Sequence, residues 1–198
     1  MFRSAHKKQK KVGFTLVEVL VAVALFTIVV TTSVSALIII LDANRKAQNI
    51  SNTINNAFFT FETMSRLMRT GVNYHCGGAG STDSPQDCPN GDNEMFFTDD
   101  RGQFVHVWLT EVSGLGTIMQ EADDDGASNG VSFGPAYPLT SDDFDVETLL
   151  FHVTGSDITS NTEQPKTTIT FHGISNPGSP ESSELKLQTT VTQRVIDL

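Results

Sequence analysis

Between Phe14 and Arg69 the chain has neither proline nor glycine, and residues 19–41 carry no charged side chain. Nothing there breaks a single helix of more than fifty residues. The uncharged part alone, at about 1.5 Å per residue, reaches about 34 Å, enough to cross the hydrocarbon core of a bilayer. Cations are missing elsewhere: residues 102–165 hold eleven carboxylates and no Lys or Arg. Cysteine is scarce, with only Cys76 and Cys88. Catalytic signatures are absent as well. There is no Gly-x-Ser-x-Gly, no His-Glu-x-x-His and no glycine-rich phosphate loop, and His75, His106, His152 and His172 have no nucleophile motif beside them. At 198 residues the chain has room for one ordinary domain and an appendage, which excludes a large multidomain enzyme. The expectation is that it is not an enzyme.

What charge there is lies at opposite ends. Arg3, Lys7, Lys8, Lys10 and Lys11 are five of the thirteen cations, and residues 1–13 hold no carboxylate. The formal net charge is −10; without residues 1–13, eight cations would face 23 carboxylates, a balance of −15. So acidic a surface repels the phosphate backbone and anionic headgroups, because unspecific nucleic-acid affinity comes mainly from cation–phosphate pairing. Nucleic acid is therefore not an expected partner.

The amino-terminal letters decide between three readings. A secretory signal would end in small residues after its apolar core. Ser33–Ala36 imitate such a site, but Leu37-Ile38-Ile39-Ile40-Leu41 carry the apolar run beyond it. An uncleaved single-pass anchor fits the hydropathy but leaves the other letters unused. The string Lys10-Lys11-Val12-Gly13-Phe14-Thr15-Leu16-Val17-Glu18 closely resembles the class III leader of type IV pilins and type II secretion pseudopilins. The resemblance implies that a prepilin peptidase cuts between Gly13 and Phe14 and that the new amino terminus, Phe14, is N-methylated. Glycine at the cut leaves the backbone open to a protease. The basic leader keeps the amino terminus cytoplasmic by the positive-inside rule and places the carboxyl terminus outside.

Glu18 is costly for a plain anchor, at about 2.5–3.5 kcal/mol for a carboxylate in the hydrocarbon on the lenient insertion scale. The resemblance gives it a partner, the amino group freed at Phe14 of the same or a neighbouring subunit, and with that a role in assembly. Snorkelling to the interface is the plainer alternative.

The family also implies an α+β fold: a long amino-terminal helix whose first half spans the membrane and whose second half packs on an antiparallel β-sheet head. The divisions expected are a leader at 1–13, a membrane or filament-core helix at 14–41, its continuation onto the head at 42–70, and the head at 71–198. Ile50, Ile54, Ala57, Phe58, Phe61, Met64, Leu67 and Met68 recur at spacings of three and four. Phe58, Phe61 and Met68 are expected in the core, and Gly71 should end the helix. Many major pilins kink the membrane helix at a proline; this chain has none, which favours a minor component.

In the head, residues 73–93 form an expected loop. Outside the cytoplasm, Cys76 and Cys88 in it read as a disulfide; His75 with both cysteines as a zinc site is the weaker alternative, since close Cys pairs are missing. Strands are expected at 94–98 and 103–109 around Asp99-Asp100-Arg101-Gly102, and at 147–153, 166–172 and 184–195. Phe104, His106 and Trp108 would line one face of the second, either under a loop or facing a neighbour. In the last strand Leu185, Leu187, Val191 and Val195 would share a face. Segments from Gln164 to Gly173 and from Leu187 to Arg194 loosely resemble the larger J-type minor pseudopilins. The acidic loop at 121–145 begins Glu121-Ala122-Asp123-Asp124-Asp125-Gly126, with oxygen donors alternating as in an EF-hand loop, though position twelve is Ser132. Glu121, Asp123 and Asp125 are thus weak calcium candidates against a plain solvated loop, and no other cofactor is expected.

The resulting expectation is a structural minor pilin or pseudopilin, with other pilin-like subunits, the prepilin peptidase and an inner-membrane assembly platform as partners. It would start in the cytoplasmic membrane and end in a periplasmic or surface filament. A filament-tip binding module, adhesin or DNA-uptake subunit, is the alternative from another class; an uncleaved membrane-anchored domain is the third.

Overall fold

A computed structural model describes residues 13–78, 84–123, 134–156 and 163–194. Its one helix among them, α1 (Leu16–Thr70), is followed by nine strands, all paired antiparallel. The chain divides at Arg45 into two units, and everything that packs as a core lies in the second, from Lys46 onward.

In the first unit α1 is an isolated helix with every described side chain exposed. In the second, α1 buries Thr53, Ala57, Thr60, Phe61, Met64 and Met68. Phe58 was expected in that core and is instead 61% exposed, while Ile50 and Ile54 stay at its margin. The buried stripe is narrower than the apolar one and is completed by threonines. Thr53 satisfies its hydroxyl on the Asn49 carbonyl at 2.8 Å, and Thr60 donates to the Leu139 carbonyl at 2.8 Å. A hydroxyl so bonded can be buried at little cost. At its end α1 gives its Leu67 carbonyl to the Gly71 amide, 2.9 Å. A Cβ on Gly71 would sit 2.8 Å from Phe97, so glycine is required here by space.

Sheet one runs β1 (Val72–Cys76), β3 (Glu94–Thr98), β4 (Phe104–Val112), β5 (Leu115–Ala122) and β6 (Tyr137–Pro138) in spatial order. Sheet two runs β2 (Cys88–Asp92), β7 (Phe144–Thr154), β8 (Lys166–Ser175) and β9 (Ser183–Thr192). The hairpin expected at Asp99–Gly102 is present, with the Asp99 carboxylate accepting the amides of Arg101 and Gln103 at 2.9 and 2.8 Å. β4 and β5 join through Ser113-Gly114, both at positive φ, 55° and 85°, which is the two-residue turn that matches strand twist.

The two sheets and the outer turns of α1 share one core. Met95, Phe97, Val105, Val107 and Ile118 come from sheet one, and Val146, Leu149, Phe151, Val153, Ile169, Phe171 and Val191 from sheet two. Phe61 meets Phe171 edge-on at 5.4 Å, and Phe144 stacks on Phe171 at 5.5 Å. The sheets approach closely where β5 meets β7: Gly116 donates its amide to the Asp145 carboxylate at 2.8 Å, and any side chain at Gly116 would strike the Val146 carbonyl.

The loop expected at 73–93 takes in all but the first residue of β1 and the whole of β2, and the acidic loop expected from 121 starts while β5 is still in progress and includes β6 and the beginning of β7. β7 begins three residues before the expected 147 because the register shifts between Val146 and Thr148, so the buried side chains change parity there. In β9, Leu185, Leu187 and Val191 do turn inward together; Val195 lies outside the described residues.

On the outer surface of sheet two, His172 sits between two carboxylates, Nδ1 3.0 Å from Glu147 and Nε2 2.7 Å from Glu184, and Lys186 reaches the same Glu184 oxygen at 2.6 Å. The hydrogen bond from Lys186, then that from His172, holds the Glu184 carboxyl below its ordinary range.

Two outcomes follow for a fragment beginning at Lys46. Met64→Ala empties a fully buried site and should cost about 2–5 kcal/mol in urea unfolding, whereas Phe58→Ala should stay within about 0.5 kcal/mol. A carboxyl whose folded pKa is depressed stabilises the fold only while ionised. Wild type should therefore melt above Glu184→Gln at neutral pH, with the gap closing as pH falls below the ordinary glutamate value of 4.5.

Candidate functional site

The segment that sets this chain apart from an ordinary α+β domain is its amino-terminal stretch. Gly13, Phe14 and Thr15 have no regular secondary structure, and α1 starts at Leu16. A Cβ on Gly13 would meet nothing within 4 Å, and Phe14 is 81% exposed, so among the described residues none covers the Gly13–Phe14 peptide bond. The Thr15 hydroxyl accepts the Glu18 amide at 3.3 Å, and its carbonyl accepts the Val19 amide at 3.2 Å. These bonds place Thr15 as the cap of α1 and Glu18 in the first turn. A carboxylate is favoured there by the positive end of the helix.

Beyond Glu18 the helix is apolar on every side. Leu20, Val23, Leu25, Phe26, Ile28 and Ile39 are all more than half exposed. A helix hydrophobic all round is the pattern of a membrane span or the interior of an assembly, since each large side chain left in water forgoes about 1.5–3 kcal/mol. α1 is long and apolar enough to cross a membrane.

Five hydroxyls interrupt this surface without making it polar. Thr27 donates to the Val23 carbonyl at 2.8 Å, Thr31 to Thr27 at 2.8 Å, Thr32 to Val29 at 3.0 Å, Ser33 to Val29 at 2.7 Å and Ser35 to Thr31 at 3.0 Å. Each is satisfied within its own helix, as a hydrocarbon surrounding requires.

The residues matching the family model of the prokaryotic N-terminal methylation motif are 9–34, which take in the bond at Gly13–Phe14, the cap, Glu18 and all but the last of those hydroxyls. The chain carries the methylation motif of the type IV pilin class III leader. No curated protein and no solved structure matches it. The motif, the apolar helix and the antiparallel sheets after it together agree with the α+β pilin fold. In general terms that motif implies a membrane-anchored precursor that meets a prepilin peptidase and other pilin subunits.

The remaining sequence candidates lie in the head. Cys76 and Cys88 are joined by a disulfide, Cα atoms 5.7 Å apart. The bond links the edge strand β1 of one sheet to the edge strand β2 of the other, beside a parallel bridge from His75 to Gln86. Both sulfurs lie against the Phe151 carbonyl, at 3.3 and 3.2 Å. With both thiols so used, the alternative of a zinc site with His75 is excluded; His75 is buried, its Nδ1 at 2.8 Å from the Ser84 carbonyl.

Of the three calcium candidates, two are among the described residues. Glu121 is in β5 and bonds His106 Nδ1 at 3.0 Å; Asp123 is fully buried, its amide held by Phe104 at 2.8 Å; Asp125 lies outside the described residues. Among the described residues no three of His, Cys, Asp and Glu gather where they could hold a metal ion.

The aromatic face of β4 is spent largely on itself. His106 lies stacked between Phe96, at 4.0 Å, and Trp108, at 4.3 Å, while Glu121 and Glu94 hold its two ring nitrogens at 3.0 and 3.3 Å. Phe104 and Phe96 are buried.

What sequence reasoning missed here was Thr15 as a cap and the self-satisfied hydroxyls. The first was signalled by Thr-x-x-Glu spacing ahead of an apolar run, the second by Ser and Thr following helical residues four places back. For the disulfide, Cys76→Ala with Cys88→Ala should lower the unfolding free energy of the head by about 3 kcal/mol, the loop-closure value for a link of similar span, measured against the oxidised wild type.

Proposed function

We propose that this chain is a minor pilin or pseudopilin, a structural subunit cut between Gly13 and Phe14, methylated on Phe14 and drawn from the cytoplasmic membrane into a type IV pilus-like or type II secretion filament. The observation that carries this reading is a coincidence of three features in one segment: the methylation motif at 9–34, an exposed Gly13–Phe14 bond, and an apolar helix that begins two residues later. The basic residues ahead of the bond support an orientation with the amino terminus inside.

The chemistry of the subunit is then association. In the membrane the side chains of α1 between Leu16 and Leu41 contact lipid; in a filament they contact the same stretch of other subunits. Glu18 sets the axial register by pairing with a freed Phe14 amino group, because a carboxylate leaving lipid for a dry interior needs a cation beside it. Other pilin-like subunits, the prepilin peptidase and the inner-membrane assembly platform are the partners. The unbroken helix, without a proline, supports a minor rather than a major role.

Intact-mass spectrometry of the chain from its native membrane tests this. The expected mass lacks residues 1–13 and carries one added methyl group on Phe14. A leader retained in cells with active prepilin peptidase would overturn the reading and leave a membrane-anchored domain.

A further inference from the structure

The order of features along the amino-terminal stretch is scissile bond, cap, helix, with only Phe14 between the bond and the cap. A peptide bond inside an α-helix is closed to a protease: its N–H and C=O are committed to the turns on either side, and its backbone cannot extend into an active-site cleft. Where α1 begins therefore decides whether Gly13–Phe14 can be cut. An apolar environment pushes that starting point upstream, since every unbonded amide there is expensive and each further helical turn satisfies some.

One contact fixes the start against that pressure. The Thr15 hydroxyl takes the Glu18 amide, which would otherwise bond the carbonyl of Phe14 if the helix continued upstream. With Thr15 at the cap position, Glu18 falls at the third helical residue, the spacing of a capping box. The Thr15 hydroxyl on the Glu18 amide is thus a local stop signal for the helix, independent of any partner.

We propose that Thr15 is a positioning residue for leader removal: by capping α1 it holds the Gly13–Phe14 bond outside the helix, where prepilin peptidase can hydrolyse it. In that step water adds to the Gly13 carbonyl carbon, the bond to the Phe14 nitrogen breaks, and the products are a Gly13 carboxylate and a Phe14 amino group. This rests on the processing proposed above.

The test is a rate of leader release by purified prepilin peptidase on the full-length chain in detergent micelles, read by intact mass, for wild type, Thr15→Val, Thr15→Ser and Thr15→Asn. Valine keeps the shape and removes the capping oxygen; serine and asparagine keep an oxygen and change the shape. Thr15→Val is expected to be cut about five-fold more slowly, the factor matching the usual strength of a cap, with the other two within about two-fold of wild type. Valine cut as fast as wild type would overturn the proposal. So would serine and asparagine as slow as valine, because the peptidase would then be reading threonine itself. Carbon-13 chemical shifts of Gly13 and Phe14 in the uncut full chain separate the two layers. They should move toward helical values in Thr15→Val alone, and no movement overturns the cap whatever the peptidase does. A wild-type chain left uncut beside a processed control prepilin would instead overturn the processing reading, and this proposal with it.

Discussion

From Val19 to Leu41 the helix α1 has no side that water would favour, and the course of the long helix depends on that constraint. An amphipathic helix can be stabilised by the domain it belongs to; one that is apolar all round must be surrounded by lipid or by other helices. The stretch also has to be helical throughout, because inside hydrocarbon every backbone amide must find its partner in the same segment. The lack of proline and glycine from Phe14 to Arg69 leaves the helix unbroken through that stretch and beyond it.

The head answers a different problem. It must hold together two sheets, neither of which closes on itself. Three devices do so: the buried stripe of α1 from Thr53 to Met68, which contributes to the core beneath both sheets; the close approach at Gly116; and the disulfide that ties edge strand β1 to edge strand β2. The outer surfaces carry a repeated arrangement, a histidine on an inner strand with glutamates from both neighbouring strands at its ring nitrogens, His106 in one sheet and His172 in the other.

Elements with a clean period were legible in the sequence. The helix, its end at Gly71, the hairpin around Asp99–Gly102 and the strands carrying Ile169, Phe171, Leu185 and Leu187 all show their spacing directly. Elements that break their own period were not. β2 reads Cys-Pro-Asn-Gly-Asp, which has the composition of a turn; it is a strand because it occupies an edge, where a proline need not donate to a neighbour. β1 contains Asn73 at φ 56° and a register shift, and β7 shifts between Val146 and Thr148. β5 was concealed by the acidic run that starts in its last two residues. On α1, hydrophobicity placed Phe58 in the core, whereas the geometry of the contact preferred Thr53 and Thr60, small enough to lie against a neighbour and able to return their hydroxyls to a carbonyl. At the amino terminus the methylation motif was readable in the letters, but Thr15 as the cap of α1 needed the position of the first helical turn.

The hydroxyls of Thr27, Thr31, Thr32, Ser33 and Ser35 bear on what happens when such a helix changes its surroundings. Because each is already bonded to a carbonyl of its own backbone, none has a partner to abandon when lipid is exchanged for protein, or to seek afterwards. For these hydroxyls the lateral surface is indifferent to its medium, and a move from one dry environment to another would carry no toll for re-pairing them along the way.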